Sequence, residues 1–282
     1  MSRSRSPLAA ELRSHDRDRY QTTLFAPADC RDALVALYAF NYEIARIRES
    51  VREPMMGLMR LQWWRDALGE IYAGARPRHH DVVEPLAAAI RTHRLSPAHF
   101  TALLDARAHD LDETPPESLD ALEAYATGSS ASLVQLALAI LSVDDPEPRA
   151  AGNAVGIAYA LAGLLIAVPF HARMRRLYLP QALIARHGLD TDRTVFALKP
   201  SPRLAAIARE VAARARLRLD EARRHRGSVP RAALPALLPG VLAERRLQRL
   251  ARFDHNVMDP QLATEDTLQS MRLARAVLRG RF

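Results

Sequence analysis

The sequence predicts an all-α protein that forms a single large helical bundle. About half of the 282 residues are apolar (49%), there are only 11 glycines, and strong helix formers such as Ala and Leu dominate. Apolar residues recur at steps of three and four, which is the period of an amphipathic helix. We find no internal repeat and no interdomain linker, so one domain with a sizeable core is expected.

The first helix of the bundle is expected after a flexible segment. Residues 1–25 are polar, so we predict that they are flexible and that the helical domain spans residues 26–282. A helix should begin near Asp29 and continue towards Ser50. Pro27 precedes this helix, and the acidic side chains at its start suit the positive end of its dipole.

The next helices are recognised by their apolar faces and by the breaks between them. We predict helices over residues 54–72, 82–93, 97–112 and 118–141. In the first of these, six apolar side chains share one face, namely Leu58, Leu61, Trp64, Leu68, Ile71 and Tyr72. Pro115 and Pro116 separate the third of these helices from the fourth.

A slim apolar helix is expected at the centre of the bundle, over residues 149–168. Its Gly and Ala residues let neighbouring helices approach closely. The apolar run over residues 154–170 is at the short limit for a membrane span. It lacks an aromatic belt and is ended by Pro169, so we predict a buried helix rather than a transmembrane one.

The C-terminal part of the chain is predicted to hold a polar loop and three helices. The loop covers residues 187–203, and the helices cover 203–225, 232–252 and 264–279. Pro235 and Pro239 lie inside the middle helix, so that helix is expected to start late or to kink.

The charge of the chain is uneven. The net charge is +8; residues 1–141 contain 16 basic and 19 acidic side chains, and residues 142–282 contain 24 and 13, a net of +11. A basic half suits an anionic membrane surface, an anionic ligand or an acidic partner. There is no RNA-binding signature and no interleaving of aromatic and basic residues, so no nucleic-acid partner is expected.

The cysteine content and the first residues favour a cytoplasmic location. Cys30 is the single cysteine, so an intrachain disulfide is excluded, which fits a reducing compartment. Residues 1–10 contain no continuous apolar core, so no secretory signal is expected.

Three segments carry a resemblance to a known family. They are the Ala-Leu-Tyr-Ala-Phe run at 36–40 with the Gln-Trp-Trp-Arg-Asp run at 62–66, the segment 156–180, which begins Gly-Ile-Ala and ends Arg-Leu-Tyr-Leu-Pro, and the proline-punctuated segment 230–239. Together they resemble the squalene/phytoene synthase superfamily over nearly the whole chain. The resemblance implies a helical bundle of the class I isoprenoid synthase type.

The acidic centres of the family's two motifs are replaced in this sequence. The positions of the first motif's three aspartates fall on Ala45, Arg46 and Glu49. In the second motif the Arg-Asp pair becomes Ile166-Ala167, and the Glu-Asp pair becomes Phe170-His171.

With Glu49 the one carboxylate left among them, these positions do not suit metal-dependent chemistry. Ionising an allylic diphosphate requires Mg²⁺, a hard cation that binds carboxylate and phosphate oxygens. Between Glu147 and Asp190 the sequence contains no Asp or Glu. We therefore predict a non-catalytic protein with no catalytic residue, no metal ligand and no cofactor.

One branch of the superfamily is especially similar. Asn41, Glu43 and Ala45, the run 57–64 and the segment 168–171 resemble the mitochondrial respiratory complex I assembly factor with a synthase-like domain, and its alphaproteobacterial relatives. The resemblance implies that complex I subunits or assembly intermediates are the partners. It also implies a location that is cytoplasmic, with a peripheral association with the inner membrane left open.

Two alternative functions stay open. The first is a prenyl transferase with an altered metal site, which condenses prenyl diphosphates head to head and would need Mg²⁺. The second is an isoprenoid or lipid carrier, for which Arg173, Arg175, Arg176 and Tyr178 are the candidate anion-binding or lipid-binding residues, because guanidinium groups grip phosphate without a metal. A basic surface near a membrane is the rival explanation for these arginines.

A further hypothesis drawn from the sequence is a polar pocket at the end of a predicted helix. His109, Asp110 and Asp112 lie near the end of a predicted helix, where synthases of this kind often carry another aspartate. The alternative is a solvated helix end.

Overall fold

The fold is built from helices alone in the part of the chain that the structure describes. The computed structural model describes residues 7–112, 114–264 and 266–282. Its α-helices are α1 (Pro7–His15), α2 (Arg17–Thr23), α3 (Arg31–Ala45), α4 (Pro54–Tyr72), α5 (Val83–His93), α6 (Pro97–His109), α7 (Leu119–Ala126), α8 (Ser132–Ile140), α9 (Pro146–Ile166), α10 (Val168–Arg173), α11 (Gln181–His187), α12 (Pro202–Arg224), α13 (Leu234–Leu237), α14 (Pro239–Arg252) and α15 (Gln269–Leu278). The predicted all-α class is confirmed.

The N-terminal residues differ from the prediction of a flexible segment over residues 1–25. From Pro7 onwards the chain forms α1 and α2, which pack against α3. Leu12 is buried, and the carboxylate of Asp16 caps α2 by accepting from the backbone N–H of Arg19 at 3.1 Å. An apolar anchor and a cap therefore help to order a segment whose composition is polar. The first six residues lie outside the described residues.

The predicted helix over residues 118–141 is present but is not a uniform α-helix. A π-helical turn over Thr127–Ala131 joins α7 to α8. At this turn the bundle is packed very closely, because a Cβ added to Gly156 of α9 would lie 2.4 Å from the Cα of Ala131. The wider turn and the missing side chain together let two backbones touch.

Helix α9 is the central helix of the bundle, as predicted. It packs against α7, α8, α12 and α14, and most of its side chains are buried. Its length and composition would suffice to cross a membrane, but 61% of its apolar stretch is buried inside the bundle. The same apolar pattern is satisfied by neighbouring helices, as the small residues of the sequence indicate.

Two apolar clusters surround this helix. One is centred on α3, α4, α6 and α8, where the ring of Phe40 lies 5.1 Å from that of Trp64 and 5.4 Å from that of Phe100. The other is formed by α9, α12 and α14 and includes the buried Leu161, Ile207 and Leu247. Leu12 and Phe282, near the two ends of the chain, both belong to the first cluster.

Prolines lie at the start of α13 and of α14. The expected late start is observed, because α14 begins at Pro239 and the short α13 precedes it. The last helix begins at Gln269 rather than near residue 264. The side chain of Asp266 instead accepts from the backbone N–H of Leu268 at 3.1 Å, which makes a turn before the helix.

Candidate functional site

The first set of replaced positions lies at the end of α3. Ala45 is its last residue, and Arg46 follows, with its guanidinium 3.0 Å from the carboxylate of Glu43 and 5.3 Å from the ring centroid of Tyr42. Glu49 lies in the 3₁₀ turn that follows. Burial and the negative charge of Asp110 raise the pKa of Glu49. The described carboxylates here face either a cation or a like charge.

The second set lies where α9 gives way to α10. Ala167 joins the two helices, and Phe170 is 46% exposed on α10. The imidazole of His171 packs 4.6 Å from the ring of Tyr178, and its Nδ1 is buried without a hydrogen-bond partner. Burial lowers the pKa of His171 to about 4, so this imidazole is neutral at neutral pH.

A buried polar group lies beside these positions, which we call the Asp110 cluster (Arg107, Asp110, Tyr125, Arg176 and Tyr178). The carboxylate of Asp110 is 5% exposed; it accepts from the hydroxyl of Tyr178 at 2.8 Å and from Nη1 of Arg107 at 3.1 Å. Nη1 of Arg107 also donates to the hydroxyl of Tyr125 at 2.9 Å, and Arg176 donates to the backbone carbonyl of Asp110. Every oxygen of Asp110 is therefore engaged by a protein donor.

The two tyrosines of the Asp110 cluster act as hydrogen-bond donors or acceptors in their neutral form. Burial raises the pKa of Tyr125 and of Tyr178, and the carboxylate of Asp110 raises both further. A neutral phenol at Tyr178 can donate to Asp110 over the whole physiological range of pH. The cluster thus ties α6 and α7 to the segment that follows α10.

A cavity of about 1000 Å³ opens next to the Asp110 cluster. It lies between α6, α7 and the segment that follows α10. Its polar and charged lining consists of Arg48, Asp105, His109, Asp112, Thr114, Glu117, Tyr125, Arg175, Arg176 and Tyr178, and Met174, Leu177 and Phe196 contribute apolar surface. Nε of Arg48 and Nη2 of Arg176 are buried and have no hydrogen-bond partner. The cavity therefore has both apolar and cationic walls.

The structure brings together three of the four predicted anion-binding residues. Arg175, Arg176 and Tyr178 line the cavity, whereas Arg173 is exposed at the end of α10. The Arg175 guanidinium also stacks 4.7 Å from the ring centroid of Phe196 and lies 3.1 Å from the carboxylate of Asp192. Arg176 is thus the most deeply placed of the predicted cations.

The predicted polar pocket at the end of α6 is present. His109 and Asp112 line the cavity, and Asp110 lies in the cluster behind it. Glu113, the next residue, lies outside the described residues. Sequence reasoning missed Arg107, whose spacing of three from Asp110 is that of a helical ion pair, and Tyr125, for which the sequence carries no signal.

The donor set at the two replaced motifs does not fit Mg²⁺. This hard cation needs several oxygen ligands at short distance. At the first motif, Arg46 pairs with Glu43. The second motif offers no carboxylate at Ala167, Phe170 or His171. Within the part of the chain that the structure describes, no group of three or more His, Cys, Asp or Glu side chains is arranged to hold a metal ion.

A second polar network joins α9 to α2, α14 and α15. The carboxylate of Asp18 accepts from the hydroxyl of Tyr159 at 3.1 Å, from Nη2 of Arg246 at 2.5 Å and from Nε2 of Gln269 at 2.7 Å. A Cβ added to Gly163 would lie 3.5 Å from Nη1 of Arg246, which is an ordinary van der Waals contact. Gly163 therefore packs beside the guanidinium of Arg246.

Comparison with known proteins places these features in context. A family model described as squalene/phytoene synthase matches residues 12–274. The chain is 34% identical over 263 residues to the protein named NADH dehydrogenase (ubiquinone) complex I, assembly factor 6, of Bos taurus, and the match covers 93% of this chain and 78% of that protein.

Two solved structures share the fold. The crystal structure of squalene synthase HpnC from Alicyclobacillus acidocaldarius superposes with a TM-score of 0.77 at 22% identity, over 88% of this chain and 94% of that one. A dehydrosqualene synthase in complex with ligand superposes with a TM-score of 0.83 at 18% identity, over 96% of this chain and 94% of the other. The helical arrangement is therefore that of these synthases.

Proposed function

Because the chain belongs to the squalene/phytoene synthase family, we propose that it is a non-catalytic member which acts in the assembly of respiratory complex I. One observation carries the proposal. The frame of the family is retained, while the two motif positions carry Ala45, Arg46, Ala167, Phe170 and His171 in place of carboxylates. The bovine relative is named as a complex I assembly factor, which supports a role in complex I assembly.

Charge is the physical basis for the absence of catalysis. Expelling diphosphate from an allylic carbon requires positive charge held against the leaving group. The buried carboxylate of Asp110 is already engaged by Tyr178 and Arg107, so it is not available to a metal ion. The exposed Glu49 faces the like charge of Asp110, and among the described residues neither belongs to a group of three or more possible metal ligands.

The partners that fit this function are subunits or assembly intermediates of complex I. We place the protein in the cytoplasm, at the inner face of the membrane where complex I is built. A single cysteine excludes an intrachain disulfide and is compatible with a reducing compartment.

Deleting the gene tests the role in assembly. The amount of intact complex I, measured by NADH dehydrogenase staining on native gels, should fall in the deletion strain and return when the wild-type gene is supplied. Succinate dehydrogenase activity in the same membranes is the control for a general respiratory defect. Normal complex I in the deletion strain would show that the proposed function is wrong.

Incubation with substrate tests the alternative prenyl transferase. The purified protein, supplied with farnesyl or geranylgeranyl diphosphate and Mg²⁺, should give no condensed product above the protein-free blank. A product that depends on both the protein and Mg²⁺ would establish the enzyme instead, and would show that Ala45, Arg46 and Ala167 do not prevent metal binding.

An isoprenoid or lipid carrier is the second candidate, and the cavity favours it. A space of about 1000 Å³ is large enough for a lipid-sized ligand, and Arg48 and Arg176 each direct an unpartnered nitrogen into buried surroundings beside it. Native mass spectrometry of the protein purified from its host is the test. An added mass that disappears on denaturation supports the carrier, and an empty protein contradicts it.

A further inference from the structure

The outer face of α15 is apolar and exposed. Leu268, Met271 and Leu278 are 48%, 67% and 78% exposed, and Arg275 lies between the last two on the same face. These residues follow steps of three, four and three, so they form one continuous ridge along the helix. Large apolar side chains in such a row are unusual on a surface that meets only water.

The inner face of the same helix is fixed to the bundle. Leu273 is fully buried, and Nε2 of Gln269 donates to the carboxylate of Asp18 at 2.7 Å and to the side chain of Gln21 at 2.9 Å. At the other end, Nη2 of Arg231 donates to the backbone carbonyl of Leu278 at 3.2 Å. The exposed ridge is therefore presented by an anchored helix and not by a frayed terminus.

Positive charge surrounds this ridge. Residues 267–282 contain four arginines and no Asp or Glu. A groove of about 310 Å³ lies beside Leu268; it is lined by Arg272 and by three further arginines, Arg245, Arg249 and Arg252. Among the described residues of the groove, Asp266 is the one carboxylate, and it is shared by Arg245 at 3.4 Å and Arg272 at 3.1 Å.

The combination of ridge and groove selects one kind of occupant. Leu and Met side chains beside arginines match the boundary of a bilayer, where apolar groups enter the acyl region and guanidinium groups meet phosphate. We infer that α15 docks the protein on an anionic phospholipid surface, with the ridge inserted among the lipids and lipid phosphates in the arginine groove. This inference concerns the isolated chain and does not depend on the role in complex I assembly.

Vesicle flotation with the purified full-length protein tests the inference. Vesicles of phosphatidylcholine alone are compared with vesicles that also contain phosphatidylglycerol, at low and at high salt. Wild-type protein should float with the phosphatidylglycerol vesicles, remain behind with phosphatidylcholine, and be released by salt because surface charge is screened. Equal binding to both kinds of vesicle would overturn the role of the arginines.

Matched variants locate the surface. Arg275→Glu combined with Arg279→Glu should lower partition onto phosphatidylglycerol vesicles about tenfold or more. Met271→Ser combined with Leu278→Ser should lower it without changing net charge. The control, Arg76→Glu combined with Arg94→Glu, changes net charge equally on exposed residues flanking α5, and should bind like the wild type.

The remaining outcomes also decide the matter. Circular dichroism and thermal unfolding verify that each variant is folded, and Arg275→Gln with Arg279→Gln replaces the glutamate pair if that pair is unstable. If the α15 variants float like the wild type, or if the control loses binding to the same extent, the inference is wrong. It is also overturned if the α15 variants bind vesicles normally but lose a protein partner from a membrane-free extract.

Discussion

Asp18 and Arg246 form an ion pair at 2.5 Å between α2 and α14, although 228 residues separate them in the sequence. About a quarter or less of each side chain is exposed, and the guanidinium also stacks 4.6 Å from the ring centroid of Tyr159. This pair joins the first part of the chain to the last across the central helix. It gives the N-terminal helices a fixed place in the bundle.

Asp18→Asn should destabilise the protein by about 2–3 kcal/mol, because it leaves the guanidinium of Arg246 poorly solvated and without its counter-charge. Urea unfolding monitored by circular dichroism measures this loss. Asp192→Asn is the matched control, since Asp192 and Arg175 are 73% and 72% exposed and their pair should contribute less than about 0.5 kcal/mol. Equal effects of the two substitutions would contradict the buried pair.

Gly156→Ala should destabilise the protein by about 3 kcal/mol, because the new Cβ would lie 2.4 Å from the backbone of Ala131. Gly69→Ala is the opposite case. It lies in α4 with no atom within 4 Å of an added Cβ, so the better helix propensity of Ala should stabilise the protein by about 0.5–1 kcal/mol. Unfolding midpoints of the two variants should move in opposite directions, and a shared direction would refute the close approach of α9 to the π-helical turn.

His171 should make stability depend on pH. Its pKa in the folded protein is about 4, below the ordinary value of 6.5, so the unfolded chain binds a proton that the folded protein does not. The contribution is therefore complete above about pH 6.5 and is lost as pH falls towards 4, by roughly 3 kcal/mol at most.

His171→Phe isolates this contribution, because phenylalanine fills the same space without titrating. The free energy of unfolding, measured for both proteins from pH 4 to pH 7, should fall more steeply for the wild type. Parallel curves would show that the buried imidazole does not cause the dependence.

Arg48→Ala and Arg176→Ala should each weaken retention of an anionic ligand in the cavity about tenfold. Each removes a guanidinium group that lines the cavity and that has one nitrogen without a hydrogen-bond partner. Native mass spectrometry of ligand occupancy measures the effect. Arg173→Ala is the control, since Arg173 is exposed on α10 outside the cavity lining. A larger loss with Arg173→Ala than with Arg176→Ala would indicate that the ligand binds at the surface and not in the cavity.

The helices of the bundle could be predicted because their apolar spacing is local information. Helix α4 spans Pro54–Tyr72, as its apolar face and its proline indicate, and the slim α9 lies at the centre, as its glycines indicate. It could not be predicted that α1 and α2 are ordered helices, since their order comes in part from long-range contacts such as Asp18 with Arg246. Local polarity says nothing about a partner 228 residues away.

The candidate site was predictable only in part, for the same reason. The segment 173–178 was recognised by its arginines, and three of its four candidate residues line the cavity. Other parts of the wall come from Arg48 and Tyr125, on elements far apart in sequence. Which cation ends up buried without a partner depends on packing that no periodic pattern encodes.

The bonds that Asp18 makes to Arg246 and Gln269 also constrain how the chain folds during its synthesis. A ribosome produces the N-terminal helices first, and nearly the entire polypeptide must emerge before either bond forms. Until then the Asp18 carboxylate stays in water, and α2 has its contacts with α3 but not those with α14. Nascent chains arrested before residue 246 should accordingly expose α1 and α2 to protease, and release of full-length chains should protect them.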